Sequence, residues 1–365
     1  MKKNLKLTLA PALCLALLAG SCGKIGPNAS VQSHTGDGEV TLTVRLGQPA
    51  TKVAAQAAAN EKMIRNVQVF VFRAGSGSDA GSLEIAASAG FDTELDVSSG
   101  SYDGLTLKCS TGDREIWAVV NDSKDRTAGT DAVSSRDELL AQTHLLSASR
   151  KDKLLMAGSS GVVRLREGKE EIQVDVRRLA ASVVLESVKN DFSSPAYRKA
   201  GVFRVEDCYL INVPGQVNPG GTSEPAALPE EAWLAKRAAE KAACEPGVIY
   251  DKVEPKLVEY GQSDITPHTF YSYANSCAAS EDPTWFPRAT LLVLEASLYN
   301  GKDWTKYYYP VVLAGGLAPN KRYQVGLTIH RPGSLDPNIP VRFDDVTPVI
   351  RVSDWDTGER YDQEI

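Results

Sequence analysis

The chain has 365 residues, 42% of them hydrophobic, with 40 basic against 46 acidic side chains and a net charge of −6. That length suffices for two domains of ordinary size. The acidic balance excludes nucleic acid as a partner, because neutralising phosphates takes clustered Lys and Arg; Arg177-Arg178 and Arg150-Lys151 are too short for such a footprint and read as solvated charge.

The first residues read MKKNLKLTLAPALCLALLAGSC. Lys2, Lys3 and Lys6 form a positive start, Leu7 to Leu18 an apolar run, and Ala19-Gly20-Ser21 the small residues of a cleavage site. Small residues directly before a cysteine predict a lipoprotein signal over 1–21, with Cys22 taking the acyl chains. The mature chain then works outside the cytoplasm, held to a membrane by that lipid. The apolar run is too short to cross a bilayer, which takes about 20 residues. The polar, Gly-rich stretch 22–38 predicts a flexible spacer.

Next, Val40, Leu42, Val44 and Leu46 alternate with Thr41, Thr43 and Arg45, which predicts a half-buried strand over 40–46 that stops at Gly47 and Pro49. Further strands are predicted over Val67 to Phe72, Leu83 to Ser88, Ser101 to Leu107 and Arg114 to Val120, separated by Gly, Ser and Asp turns. Gly75-Ser-Gly77 reads as a hairpin loop, since no helix follows it. Ser135 with Glu138 three residues on forms a capping box, and predicts a helix with Leu139, Leu140, Leu145 and Leu146 as its apolar surface. Val162 to Leu165 and Ile172 to Val176 return to strand. A second block opens at Leu179 with LAASVVLESV and continues over Phe203 to Val213. An Ala-rich helix is predicted from Glu230 to Ala243. Thr290 to Tyr299, Trp304 to Leu313 and Arg322 to His330 read as three long antiparallel strands. The pattern is mainly β with a few short helices, a sandwich signature, and shows no fixed-period repeat.

No catalytic or metal motif appears. His34, His144, His268 and His330 are too scattered for a metal site. Cys109, Cys208, Cys244 and Cys277 show no zinc spacing. An exported chain permits disulfides, but four cysteines allow three pairings and the choice stays open. Cys109 reads as a small buried hydrophobe. In Tyr307-Tyr308-Tyr309 the first and third share one strand face and the second the other; stacking on a sugar is the functional alternative.

Several segments together resemble one family. Cys109-Ser-Thr-Gly-Asp-Arg114 leads into a strand ending Val119-Val120-Asn121; the SRDELLAQTHLL helix follows; Arg177-Arg178-Leu-Ala-Ala follows a strand. Further on come Leu317-Ala-Pro-Asn-Lys-Arg-Tyr-Gln-Val325, Asp336-Pro-Asn-Ile-Pro-Val341 and Val349-Ile-Arg-Val-Ser-Asp-Trp355. In order and spacing these resemble the FimA-type fimbrillins, the type V pilins of Gram-negative anaerobes. The resemblance implies two tandem transthyretin-like Greek-key β-sandwiches: 39–176 with a removable first strand at 40–46, 177–335, and a donor-strand tail at 336–365. With no catalytic or metal motif in the residues, no enzyme activity, cofactor or metal is expected. The resemblance implies export as a lipoprotein, cleavage by a trypsin-like protease in the loop after the first strand, loss of that strand, and filling of its groove by the C-terminal strand of another subunit.

On this chain the cut maps to Lys52, between Thr51 and Val53, with Arg45 as the alternative. The displaced strand carries Val40, Leu42, Val44 and Leu46. The donor carries Ile339, Val341 and Phe343 in one register, then Val346, Ile350, Val352 and Trp355 in another. Pro348 interrupts the donor, because proline cannot donate to a ladder. Such a tail is expected to stand free in the monomer. The implied partners are other pilin subunits, tip and anchor subunits among them, the maturation protease, the outer membrane through the precursor's lipid, and host or bacterial surface ligands. The competing reading is a monomeric surface lipoprotein or tip adhesin that binds glycan or host protein and packs the tail as its own last strand.

Overall fold

The computed structural model describes residues 38–47, 59–221, 224–251, 253–282, 284–313, 315–342, 344–355 and 360–362. The signal, the spacer up to residue 37, Cys22, Lys52 and Phe343 lie outside the described residues. No helix among those described is long and apolar enough to cross a membrane.

The first half of the fold is two sheets over one core. Strand β1 (Glu39–Gly47) stands between two neighbours. It runs antiparallel to β4 (Tyr102–Ser110) on one side and parallel to β7 (Gly168–Asp175) on the other. The facing sheet holds β2 (Val67–Arg73), β3 (Leu83–Ala89), β5 (Gly112–Val120) and β6 (Met156–Leu165), in the order β3-β2-β5-β6. β2 is buried along nearly its whole length because both of its faces are covered. Val67, Val69 and Val71 join the core under β1, while Phe70 and Phe72 join a second, larger core. A strand covered twice loses the alternation of a one-faced strand.

The second half repeats this connectivity. β8 (Ala180–Asn190) stands between β10 (His268–Tyr273), antiparallel, and β13 (Lys321–Ile329), parallel. β9 (Phe203–Ile211) pairs with β11 (Leu291–Tyr299), which pairs with β12 (Trp304–Val312). On the free edge of β9, the short pairs at Tyr250–Asp251 and Lys256–Leu257 replace β3. Seven positions thus recur in the same chain order without any sequence period. Of the three strands expected to lie together, only β11 and β12 do. β13 crosses to the other sheet, where its parallel partner is the first strand of this half. Among the described residues, two strands at the C-terminal end have no counterpart in the first half: β14 (Val346–Asp354) adds antiparallel to β13, and β15 (Arg360–Asp362) adds to β14.

Two of the sequence motifs resolve into local physics. In the turn between β4 and β5, Gly112 has φ +124°, and a Cβ there would sit 2.8 Å from an Arg114 guanidinium nitrogen. That closeness exists because Arg114 folds back over the turn, donating to Ser110 Oγ at 2.7 Å and the Thr111 carbonyl at 3.0 Å. Its partner is the buried Glu84 of β3, which also accepts from the Ser110 backbone N–H and hydroxyl, each at 2.6 Å. The strand-ending Asn121 has φ 64°, a region where Asn is tolerated. Its amide donates to the Met63 and Leu154 carbonyls at 2.9 and 3.0 Å and accepts from the Arg65 N–H at 2.7 Å. Asn121→Ala is therefore expected to cost about 2–3 kcal/mol, since it strands buried backbone groups and puts a Cβ residue without local bonds at positive φ. Chemical unfolding reads this, and a loss under about 0.5 kcal/mol, the ordinary surface value, would contradict it.

Helix α1 (Arg136–Ala141) is shorter than its sequence suggests. Ser135 accepts from the Glu138 N–H at 3.1 Å, as expected of a cap. The Glu138 carboxylate, however, turns to the Ser134 N–H and hydroxyl, whose bonds hold its pKa below the usual carboxylate range. Leu139 and Leu146 are buried, but Leu145 is exposed. The Ala-rich helix over 230–243 does not form. Two 3-10 turns, Glu230–Ala232 and Ala238–Ala243, flank Trp233–Leu234, which pairs with Val213–Pro214. Ala235 between them has φ 47°, incompatible with a continuous helix. Burial of Trp233 against Trp285 outweighs alanine propensity there.

Candidate functional site

The candidate site is the slot that β1 occupies, together with the C-terminal strand. Val40, Leu42, Val44 and Leu46 are at most 2% exposed and line one face of β1. Ile64, Val67, Val69, Val71 and Ile116 share their core, as does Val174 beside Leu46 on β7. Across the pair, Val40 faces Cys109 and Leu42 faces Leu107. The outer face carries Thr43, level with Thr106, and Arg45, paired with Glu171 at 2.7 Å. β1 is thus a central strand, bonded through its backbone on both sides. Taking it out leaves a slot one strand wide, with the ladders of β4 and β7 open and the core exposed along its floor.

The tail is not free. β14 pairs with β13 from Ile329↔Val346 to Lys321↔Asp354, so the expectation of an extended tail in the monomer is corrected. The reason is burial: Val346, Ile350 and Trp355 are 1, 4 and 2% exposed and belong to the larger core, with Val352 packed at its border. Pro348 faces Leu327, and among the described residues β15 covers β14 only at 351–353. The missing N–H thus falls on a stretch with one neighbour, where a sheet tolerates proline. The other proposed comb is not a strand over its described residues, 339–342. Ile339 is 40% exposed, and Val341 donates its N–H to the Pro310 carbonyl at 2.9 Å from a loop that runs along β12.

Other sequence candidates settle into structural roles. Cys109, Cys208 and Cys244 are buried thiols and Cys277 is partly covered, all four unbridged. Burial pushes the Cys109 thiol up to about 11, away from thiolate chemistry. Tyr309 is fully buried with its hydroxyl on the Arg331 carbonyl at 3.1 Å, so it offers no stacking face. His144 is buried against Asp122 at 3.1 Å. No cluster among the described residues could hold a metal ion. One reading is overturned: Arg178 is 1% exposed, not solvated, and donates to the Glu61 carbonyl. Only the apolar residues around it, Leu179 to Ala181, hinted at this.

Residues 39–187 match the family model of the major fimbrial subunit protein FimA. Over that stretch the chain resembles the FimA family. The family is one of fimbrial structural subunits, not of enzymes, and the match supports a fimbrial subunit role at the cell surface. The matched segment holds β1, its slot and the Arg114 and Asn121 turns. Among solved structures, the chain resembles a candidate cell adhesion protein from Bacteroides eggerthii at 17% identity and TM-score 0.60, covering 87% of this chain and 96% of that one. It resembles the fimbrilin FimA from Porphyromonas gingivalis W83 at 15% identity and TM-score 0.58, covering 88% and 98%. A candidate cell adhesion protein from Parabacteroides distasonis gives 16% identity and TM-score 0.58, covering 87% and 100%. At these identities the likeness establishes the fold of this chain alone. No curated protein is significantly similar to it in sequence.

Proposed function

We propose that the chain is a structural subunit of a surface fimbria, exported as a lipoprotein through Cys22, cut after Lys52, and polymerised by insertion of β14 of one copy into the β1 slot of the next. The two halves act as tandem sandwiches, 39–176 and 177–335, with the C-terminal segment as the exchanged part. The observation that carries this is the place of β1: the first strand among the described residues is a central strand, and the sequence that follows it holds Lys52.

Energetics explain why a cut is needed. Four buried aliphatic anchors contribute about 6–12 kcal/mol. While β1 is tethered it also competes at an effective concentration of about millimolar or more. A partner strand cannot displace it until the loop is cut. The donor presents Val346, Pro348, Ile350 and Val352 at the same two-residue spacing as Val40, Leu42, Val44 and Leu46. Backbone pairing is sequence-tolerant, and pockets accept alternate side chains. Arg45 serves poorly as the cut. It sits within a strand paired on both sides, so a protease would have to unzip the sheet to seat it.

Limited trypsin digestion of the purified mature chain tests the proposal, read by intact mass and an unboiled denaturing gel. Loss of the segment ending at Lys52 is expected, with a ladder of multimers. The packing of β14 on its own sheet favours the alternative of a monomeric surface lipoprotein or tip adhesin gripping glycan or host protein. A clean cut that leaves only monomer would support that alternative and remove strand exchange.

A further inference from the structure

One acidic side chain gathers segments from both halves. Glu61 lies in the 3-10 turn Ala59–Lys62, between β1 and β2, and is 2% exposed. Its carboxylate accepts from the Tyr271 hydroxyl at 2.7 Å and from the Trp355 indole N–H at 3.1 Å, and pairs with Arg322 at 3.4 Å. Its carbonyl accepts two bonds from Arg178, at 3.1 and 3.0 Å. The Arg178 guanidinium lies 4.8 Å from the centre of the Trp355 ring, and the Tyr271 ring stacks on that indole at 5.7 Å. Trp355 directly follows β14.

A buried carboxylate is costly unless paired and hydrogen-bonded. Here its partners come from β10, β13 and the end of β14, so the turn and the C-terminal strand hold each other. The same turn is footed in the other core. Ile64, three residues on, is fully buried in the cluster that holds Val40, Leu42, Val44 and Leu46. One short segment therefore touches the strand that leaves and the strand that is to be donated.

We propose that Glu61 is a catch that keeps β14 on its own sheet until β1 departs. Loss of β1 opens the core beside Ile64 and loosens the turn. The Glu61 carboxylate then withdraws from Trp355, and the end of β14 loses its hydrogen bond. The device gives an uncut subunit a closed slot and a held donor, and a cut subunit an open slot and a released one. Its purpose rests on the strand-exchange reading, but the catch is measurable in the monomer alone.

The test is amide hydrogen exchange by mass spectrometry on the uncut chain, with β11 as internal reference. Glu61→Ala is expected to raise exchange over 346–354 at least tenfold and leave 291–299 unchanged. Glu61→Gln, which keeps an acceptor, is expected to restore most of the protection. Should the alanine variant loosen the whole chain, Trp355→Phe removes only the indole N–H and is expected to raise exchange about threefold over 346–354 alone. Equal protection of that segment in the wild type and Trp355→Phe, or a rise shared by 291–299 in both variants, would overturn the catch. Multimer formation after trypsin is scored separately. Its absence from every variant would remove strand exchange while leaving the exchange result on the catch intact.

Discussion

Leu42→Ala is expected to cost the uncut chain about 2–5 kcal/mol and to leave an assembled filament as stable as before. The first half follows from packing. Leu42 is fully buried at the middle of β1, above a core of Ile64, Val67, Val69 and Ile116. Truncating such a side chain loses its transfer free energy and leaves a cavity. The second half follows only from strand exchange, because β1 is then absent from the filament. Denaturant unfolding of the uncut chain measures the first, and thermal dissociation of the gel ladder the second. Ile350→Ala is expected to weaken both, since Ile350 is core in the monomer and anchor in the slot. A filament weakened equally by Leu42→Ala would mean that β1 stays in place, and strand exchange would fail.

Arg114→Leu is expected to cost about 3–5 kcal/mol, as removing one partner of a buried pair does. Glu84 and Arg114 side chains are 2 and 5% exposed, and together they hold the β4–β5 turn at Ser110 and Thr111. Without the guanidinium, Glu84 keeps its bonds to Ser110 but not its counter-charge, with Arg73 3.9 Å away as a distant substitute. The damage should come from the orphaned charge more than from the lost pair. The double variant Glu84→Gln/Arg114→Leu is therefore expected to recover a third or more of the loss. Urea unfolding of the uncut variants measures both. A single-variant cost below about 1 kcal/mol, or no recovery in the double variant, would show that the turn is held by its backbone alone.

Much of this fold is legible in the sequence, because burial on one face writes a period of two. Val40 to Leu46 shows it, and the strand lies where that pattern places it. The Cys109–Arg114 and Val119–Asn121 signatures were readable as family marks, though not as a folded-back guanidinium and a left-handed Asn. What stayed hidden depends on partners remote in sequence. The pattern of Val346 to Val352 defines a strand but not whose sheet it joins. Arg178 looks like surface charge until the Glu61 carbonyl and Trp355 are placed around it. Ala238 to Ala243 has helical composition, yet Ala235 and the Trp233–Trp285 contact fix another path. Glu61 itself carries no local signal, since Tyr271, Arg322 and Trp355 on its carboxylate lie 210 to 294 positions away and Arg178 on its carbonyl 117.

The most direct test of the account is a cysteine pair between copies. Val349 is 48% exposed on the outer face of β14, and Thr106 lies on the outer face of β4, level with Thr43 of β1. A strand seated in the β1 slot brings these faces side by side, within disulfide reach for an opposite pair. Val349→Cys is combined in turn with Asp103→Cys, Thr106→Cys or Lys108→Cys, on a background with Cys277→Ser, and oxidised before and after the trypsin cut. Strand exchange predicts covalent multimers on a non-reducing boiled gel for at least one pair, only after the cut, and none from the single-cysteine controls. Filaments that form after the cut without a cross-link at any of the three positions would contradict it.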